Sequence, residues 1–315
     1  MAVGSRPLVP SRIAPGGVAH GTRRVPTSRV GGFIALTKPR IIELLLITTV
    51  PTMVLAAGAW PRTQLVLVTL LGGTLAAGGA NAINMVVDRD IDALMPRTLG
   101  RPLVTGLVKP REAMVFATTL EVLAFAVLWR WANLLSAGLA LSATVFYVCV
   151  YTLWLKRTST QNIVIGGAAG AVPVLVGWAA VQNNVAWTPA VLFVVMFLWT
   201  PPHFWALAIR YADDYRAAGV PMLPAVASID VTVGKMVRYT VLMVAGTIAL
   251  WPIADLGWIY GLAAVVLGAL FLLGTLDLGR HPSAARSMRV FGYSITYVTL
   301  LFGAMTVDVL VRSPR

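Results

Sequence analysis

Residues 81–102, NAINMVVDRDIDALMPRTLGRP, end an uncharged apolar run with a burst of charge: Asp88, Asp90 and Asp92 stand beside Arg89, with Arg97 and Arg101 shortly after. The run before them, 65–85, is long enough to cross the apolar core of a bilayer as a helix. The charges therefore mark where a transmembrane helix meets a membrane surface. Along a helix, steps of four residues rotate by about 40°, so Asn84, Asp88 and Asp92 share a face. Asp90, roughly 200° around from Asp88, points away. Carboxylates one turn apart repel unless a cation stands between them, and hard oxygen ligands favour Mg²⁺, which is commonly shared with a substrate's phosphates. From spacing alone three readings are open: a solvated helix end paired with Arg89 and Arg97, a metal site, and an ion-coupled transport site.

The composition settles the class. Of 315 residues, 58% are apolar and 12% charged, with a mean hydropathy of +0.80. Soluble chains carry about twice that charged fraction, so an all-α, polytopic membrane protein is expected. Cys149 is the lone cysteine, which excludes intrachain disulfides and a cysteine metal cluster. His20, His203 and His281 are too scattered to suggest a zinc site. The net charge of +13 does not point to nucleic acid, because the basic residues sit between apolar runs with no zinc finger, helix-turn-helix or basic-aromatic stripe. They are topology and anionic-ligand signals.

Residues 1–30 are rich in Gly, Pro, Arg and Ser and are expected to form a basic disordered tail, with no apolar core of a secretory leader. Residues 31–315 form one transmembrane domain, in which nine apolar stretches are expected to be helices around a central cavity: 41–59, 65–85, 113–131, 134–154, 161–181, 187–209, 238–254, 257–276 and 290–310. With the N-terminus inside, all of the 25 Lys and Arg except Arg62, Arg130, Arg312 and Arg315 fall on one side. That bias predicts a cell-membrane protein with cytoplasmic N-terminus and acidic loops, and the C-terminus outside. Asp88 and Asp92 share the cytoplasmic side with Asp213 and Asp214, four helices later, as two similar helical units with a site between them would allow. The connections 93–112 and 210–237 adjoin these acids and are long enough to cover a site.

Other polar residues fall on the same side. Lys156 and Arg157 are either topology anchors or phosphate ligands, and Asn162 opens the next span. Gly166, Gly167 and Gly170 allow close helix contact, and Pro173 is expected to bend its helix. Pro201 and Pro202 are expected to break the backbone ladder within the run from Trp199 to Trp205. Within that run His203 is a structural histidine, a contact to a large planar ligand, or a proton-transfer group. Downstream, Arg210 precedes Asp213 and Asp214, of which Asp214 is the preferred metal contact and Asp213 the close second. Carboxylates and basic residues above a greasy cavity suit an amphipathic diphosphate: loss of diphosphate from an allylic carbon leaves a carbocation-like centre for an electron-rich acceptor to capture.

The N-x-x-x-D-x-x-x-D spacing of Asn84, Asp88 and Asp92 resembles the first aspartate-rich motif of the UbiA-type intramembrane prenyltransferases. Further segments are similar to the haem O synthase branch of that family: LTKPR at 36–40, YTLWLKRTSTQNIVIGGAAGAVPVLVGW at 151–178 and WTPPHFWALAIRYADDYRAAGVPMLP at 199–224. The resemblance covers about residues 33–310. It implies Mg²⁺-dependent transfer of farnesyl from farnesyl diphosphate to the 2-vinyl group of haem b, a substrate rather than a resident cofactor, with water addition to give haem O and diphosphate. It also implies that Asn84, Asp88 and Asp92 hold Mg²⁺-diphosphate with Asp214 or Asp213, and that Arg97, Arg101, Lys156 and Arg157 stabilise the diphosphate. Asn81, Asn162 and Arg210 are further substrate-binding candidates, and Trp199 and His203 lie on the haem side.

Other branches carry a second D-x-x-x-D motif, whereas the residues four after Asp213 and Asp214 are Ala217 and Ala218. The geometry of the second acidic cluster therefore differs from that of quinone-type enzymes. Two alternatives compete: a prenyltransferase acting on an aromatic quinone precursor, and a transporter, though transporters place ionisable groups nearer mid-membrane. Expected contacts are membrane lipid and a haem A synthase or terminal oxidase assembly downstream.

Overall fold

The computed structural model describes residues 25–313, and among these no strand forms. Helix α1 (Arg29–Thr37) starts at Ser28, whose hydroxyl accepts from the Gly31 N–H at 3.1 Å. It stops where Lys38 takes a left-handed backbone, φ 53° and ψ 62°. Pro39 then opens α2 (Pro39–Ala57), at a position where its missing N–H has no intrahelical partner to lose. The expected tail boundary at residue 30 thus falls inside a helix, and residues 1–24 lie outside the described residues.

Helix α3 (Thr63–Val87) leads through Asp88 into a single turn, α4 (Arg89–Asp92). The Asp88 N–H donates to the Asn84 carbonyl and the Asp92 N–H to the Asp88 carbonyl, both at 2.9 Å, so the four-residue register persists across the junction. After α5 (Pro110–Trp131), a rod over Leu134–Thr158 comprises α6 (Leu134–Val145), π-helical turns over Phe146–Leu155 and α7 (Lys156–Thr158). There follow α8 (Asn162–Gln182), α9 (Trp187–Arg210), the short α10 (Ala212–Ala217) and α11 (Leu223–Val226), then α12 (Ile229–Ile253), α13 (Trp258–Arg280) and α14 (Ala284–Arg312).

Eight of these helical segments are long and apolar enough to cross a membrane, so the chain is a multi-pass membrane protein. The first of the nine expected stretches, 41–59, lies in α2, a helix of 19 residues. The expected seventh span starts nine residues early: α12 begins at Ile229, capped by the Ser228 hydroxyl, and carries Asp230, Lys235 and Arg238 on its first turns. The polar residues that suggested a long loop ride on the helix, and the connection shortens to 211–228, with α10 and α11 inside it. Nor do Pro201 and Pro202 break α9, which continues to Arg210 with both prolines buried. The Thr200 hydroxyl donates to the Met196 carbonyl at 3.0 Å.

The largest apolar core lies in the second half, where Trp205, Tyr260, Phe271, Tyr297 and Phe302 pack among α9, α13 and α14. In the first half α3 packs along α5 through smaller clusters. Trp60, Trp129, Trp131, Trp187 and Trp258 are exposed at or near helix ends opposite the acidic end, and Trp154 is exposed beside Lys156, as interfacial aromatics would be.

Close approaches rest on particular glycines. A Cβ at Gly166 would meet the Tyr151 ring at 2.4 Å and one at Gly167 the Thr200 side chain at 2.7 Å, whereas Gly170 faces open space. At Gly177 a Cβ would lie 2.7 Å from the Thr49 backbone oxygen, where α8 crosses α2. Gly177→Ala is expected to destabilise the protein by about 1–3 kcal/mol through overpacking, read as a lower thermal midpoint in detergent. Gly170→Ala should leave that midpoint unchanged or slightly raised.

Candidate active site

Asn84, Asp88 and Asp92 are all buried, and they sit at the C-terminal end of α3 and α4, where helix carbonyls already oppose negative charge. Neighbouring elements supply the cations. Lys156, from α7, donates to Asp88 Oδ2, and Arg101, from the following loop, donates to Asp92 Oδ2. Asn84 Nδ2 donates to Asp88 Oδ2 at 2.7 Å and to Thr152 Oγ1 at 3.2 Å. Thr152 itself donates to the Tyr147 carbonyl five residues back, a bond that belongs to the π-helical turns of this rod.

The second acidic place closes over the first. Arg97 Nε lies 3.6 Å from Asp214 Oδ2, and the guanidinium stacks over the Tyr215 and Tyr211 rings at 4.8 and 5.4 Å. Beneath that contact Ile91 and Met95 pack against Ala218 and Val220. The loops after α4 and α9 therefore form one cover, as expected of long connections next to the acids. Asp213 turns outward, 85% exposed and paired with Arg216, so Asp214 is the acid this cover directs inward.

The remaining sequence candidates divide. Arg157 makes a bidentate contact with Asp90, both bonds 2.7 Å, and donates to the Val87 carbonyl at 3.0 Å. That contact holds the Asp90 carboxyl down to about 2, against the opposing effect of burial. Arg157 reaches Asp88 Oδ1 only at 3.9 Å, so it clamps the α3–α4 junction rather than facing the buried acids. Asn81 Nδ2 donates to the Thr37 carbonyl at 3.1 Å and ties α3 to the end of α1. Asn162 is fully buried with Nδ2 unpartnered, and Arg210 Nε is likewise buried without a hydrogen bond.

His203 lies in the α9–α14 packing. Its Nδ1 is 2.6 Å from Ser294 Oγ, and its ring stacks between Trp199 at 4.2 Å and Phe291 at 4.6 Å. Trp199 Nε1 donates to the Ser294 carbonyl at 2.9 Å, which fixes the same wall.

Lys38 is a site residue that spacing did not single out. Its ammonium donates to Asn84 Oδ1 at 2.9 Å. Burial, aided by Arg101 and Lys156 and opposed by Asp88 and Asp92, pulls its pKa down to about 7. A left-handed backbone costs a non-glycine residue roughly 1–2 kcal/mol, and here it turns the side chain inward. The signal was present in LTKPR, where Pro39 disfavours helical geometry at the residue before it.

Asp88 Oδ1, Asp92 Oδ1 and Asp214 Oδ2 are buried without hydrogen-bond partners. Such hard oxygens, with the Asn84 amide, fit Mg²⁺. Among the described residues no three His, Cys, Asp or Glu side chains lie close enough to cage an ion. A metal here must draw further oxygens from elsewhere, as Mg²⁺ does from water and phosphates.

A multi-helix membrane fold with a diphosphate-suited acidic and basic mouth defines a membrane prenyltransferase, and the comparisons agree. Residues 45–302 match the UbiA prenyltransferase family, and the chain belongs to that family. A protoheme IX farnesyltransferase of Streptomyces avermitilis is 52% identical over 291 residues, covering 90% of this chain and 95% of that protein. One from Paenarthrobacter aurescens is 53% identical over 286 residues, 89% of each chain. Solved structures share the fold at low identity. A digeranylgeranylglyceryl phosphate synthase superposes with a TM-score of 0.74 at 17% identity, covering 90% of this chain and 99% of that one. A UbiA homologue from Archaeoglobus fulgidus, bound to DMAPP and Mg²⁺, gives 0.63 at 16% identity over 86% and 99%.

Removing one partner of a buried ion pair strands the other, at about 3–5 kcal/mol. Asp88→Ala is therefore expected to lower the thermal midpoint of ligand-free protein, and the Asp88→Ala/Lys156→Met double variant to recover most of that loss.

Proposed function

We propose that this chain transfers farnesyl from farnesyl diphosphate to the 2-vinyl group of haem b, with water addition giving haem O and release of diphosphate. The observation that carries the reading is the pair of buried acids at the α3–α4 junction, Asp88 and Asp92, each with one carboxylate oxygen free of hydrogen bonds, beside Lys156 and Arg101 and under a cover where Arg97 meets Asp214. Relatives named protoheme IX farnesyltransferase at about half identity supply the acceptor. Bound Mg²⁺ would neutralise the leaving diphosphate, held by Asp88, Asp92, Asn84 and Asp214.

Lys156, Arg101 and Arg97 are placed to donate to phosphate oxygens once the acids engage the metal. The C–O bond at farnesyl C1 breaks with its electron pair passing to diphosphate, and the vinyl π pair forms the new C–C bond. The cation left beside the porphyrin is captured by water, which loses a proton. The cover formed by Met95, Ile91, Ala218 and Val220 keeps bulk water from the earlier step. Arg157 acts as a positioning residue, while Asn81, Asn162 and Arg210 border the substrates. Trp199 and His203 form the haem-side wall, oriented through Ser294.

The distribution of basic residues supports a cytoplasmic N-terminus and acidic mouth, with the C-terminus outside. Haem O would pass to a haem A synthase or a terminal oxidase assembly.

Reconstitution with haem b, farnesyl diphosphate and Mg²⁺ is expected to yield haem O by mass analysis; transfer to an aromatic acid instead would overturn the acceptor assignment. Asp88→Ala should lower turnover by about a hundredfold to a thousandfold, as loss of a charge-stabilising group does. His203→Ala is expected to raise the apparent KM for haem b while leaving Mg²⁺ dependence unchanged, checked by steady-state kinetics at varied haem and metal.

A further inference from the structure

Arg210 closes the last turn of α9 beside the acidic mouth, yet the acids there are already taken. Asp88 pairs with Lys156, Asp92 with Arg101, Asp90 with Arg157, Asp214 with Arg97 and Asp213 with Arg216. Among the described residues Arg210 pairs with no acid: its Nε is buried without a hydrogen bond, and its guanidinium lies 5.8 Å from the centroid of the Tyr211 ring. A guanidinium drawn from water with only a ring beside it is poorly compensated. A carboxylate would offer it two acceptors at matching spacing.

The position on α9 points to which carboxylate. Arg210 follows His203 by seven residues, or two turns, so the two leave the helix within about 20° of one another and about 10 Å apart along its axis. His203, its ring stacked between Trp199 and Phe291, belongs to the wall assigned above to haem b. A porphyrin along that face carries two propionates on its edge, and ionised carboxylates are costly within a bilayer unless a cation meets them. Arg210 stands at the end of the span, where such a cation is needed. Arg97, which reaches Asp214 at 3.6 Å, approaches the same Tyr211 ring at 5.4 Å. Acceptor and diphosphate would thus be held by different arginines gathered around one aromatic ring.

We propose that Arg210 binds a propionate carboxylate of the porphyrin acceptor and thereby sets which edge of the macrocycle meets the prenyl donor. The inference rests on the haem reading above and adds to it the group that orients the acceptor.

The test uses purified full-length protein with farnesyl diphosphate and Mg²⁺, and compares haem b with its dimethyl ester, in which both propionates are neutral. In the parent, esterification is expected to raise the acceptor KM about tenfold or more. Arg210→Gln should raise the KM for haem b by a similar factor, leave that for farnesyl diphosphate within twofold, and treat haem b and the ester alike. Arg210→Lys, with one ammonium in place of the fork, should keep part of the preference. An Arg210→Gln enzyme that still favours haem b by the parent's factor would overturn the proposal. So would a raised KM for farnesyl diphosphate with haem b unaffected, which would make Arg210 a diphosphate ligand. Should Arg210→Gln not fold, an undiminished preference in Arg210→Lys, or no preference in the parent, would refute it equally. If the parent makes no haem O from haem b, the acceptor reading itself falls; the other outcomes remove Arg210 alone.

Discussion

Two buried carboxylates at the C-terminal end of an apolar helix need positive charge brought to them. The helix carbonyls repel them and the membrane offers no water to compensate. In this chain the compensating charges come from the α7 turn, the loop after α4 and the α1–α2 junction, because no cation on α3 itself reaches the buried face. Asp88 and Asp92 thereby draw three separate parts of the chain to one point. The arrangement is a stand-in: removing acids and bases from water is costly, and a buried ion pair returns little net stability. A ligand that offers a cation to the acids and an anion to the bases can replace every such pair with another of the same sign.

The π-helical turns in the fourth span serve that point. Ordinary α-helical winding would leave the Tyr147 carbonyl to the amide four residues on; here the Thr152 hydroxyl reaches it from five residues on, and Thr152 Oγ1 in turn accepts from Asn84. Tyr147 and Tyr151 stack with centroids 5.2 Å apart, and Tyr151 occupies the notch left by Gly166. The wider turn and the glycine together set the rod against α8 and carry Lys156 over Asp88. Backbone irregularity is tolerated at membrane depth where side chains satisfy it and the surface faces protein.

Much of this was legible in one dimension because a helix converts spacing into direction. Asn84, Asp88 and Asp92 point together as their intervals require, and the register survives the break at Asp88 since both backbone bonds are retained. Hydropathy located the spans but misplaced their ends where charged residues continue a helix beyond the apolar core, as Asp230, Lys235 and Arg238 do at the start of α12. Pairings between distant segments were not legible. Nothing in the order of residues says that Arg157 is spent on Asp90, that Asp213 faces outward to Arg216, or that Arg97 reaches across to Asp214. Lys38 was hidden for a different reason: a lysine before Pro39 looks like an ordinary helix start until its backbone is seen to turn the side chain inward.

The missing second aspartate pair has its account in the same packing. Ala218 stands where a carboxylate one turn after Asp214 would complete a D-x-x-x-D motif, and it is 8% exposed against Ile91, Met95 and Val220. A carboxylate at that position would be buried in an apolar seam without a partner, at a cost of several kcal/mol. The small apolar residue lets the two loops close, and their closure brings Arg97 onto Tyr215 and within 3.6 Å of Asp214. The second half of the site therefore offers a single inward acid with an arginine beside it, while the first half offers two acids and an amide. An ion bound between such unequal halves would be held chiefly by α3 and α4, with the cover loop adding one carboxylate.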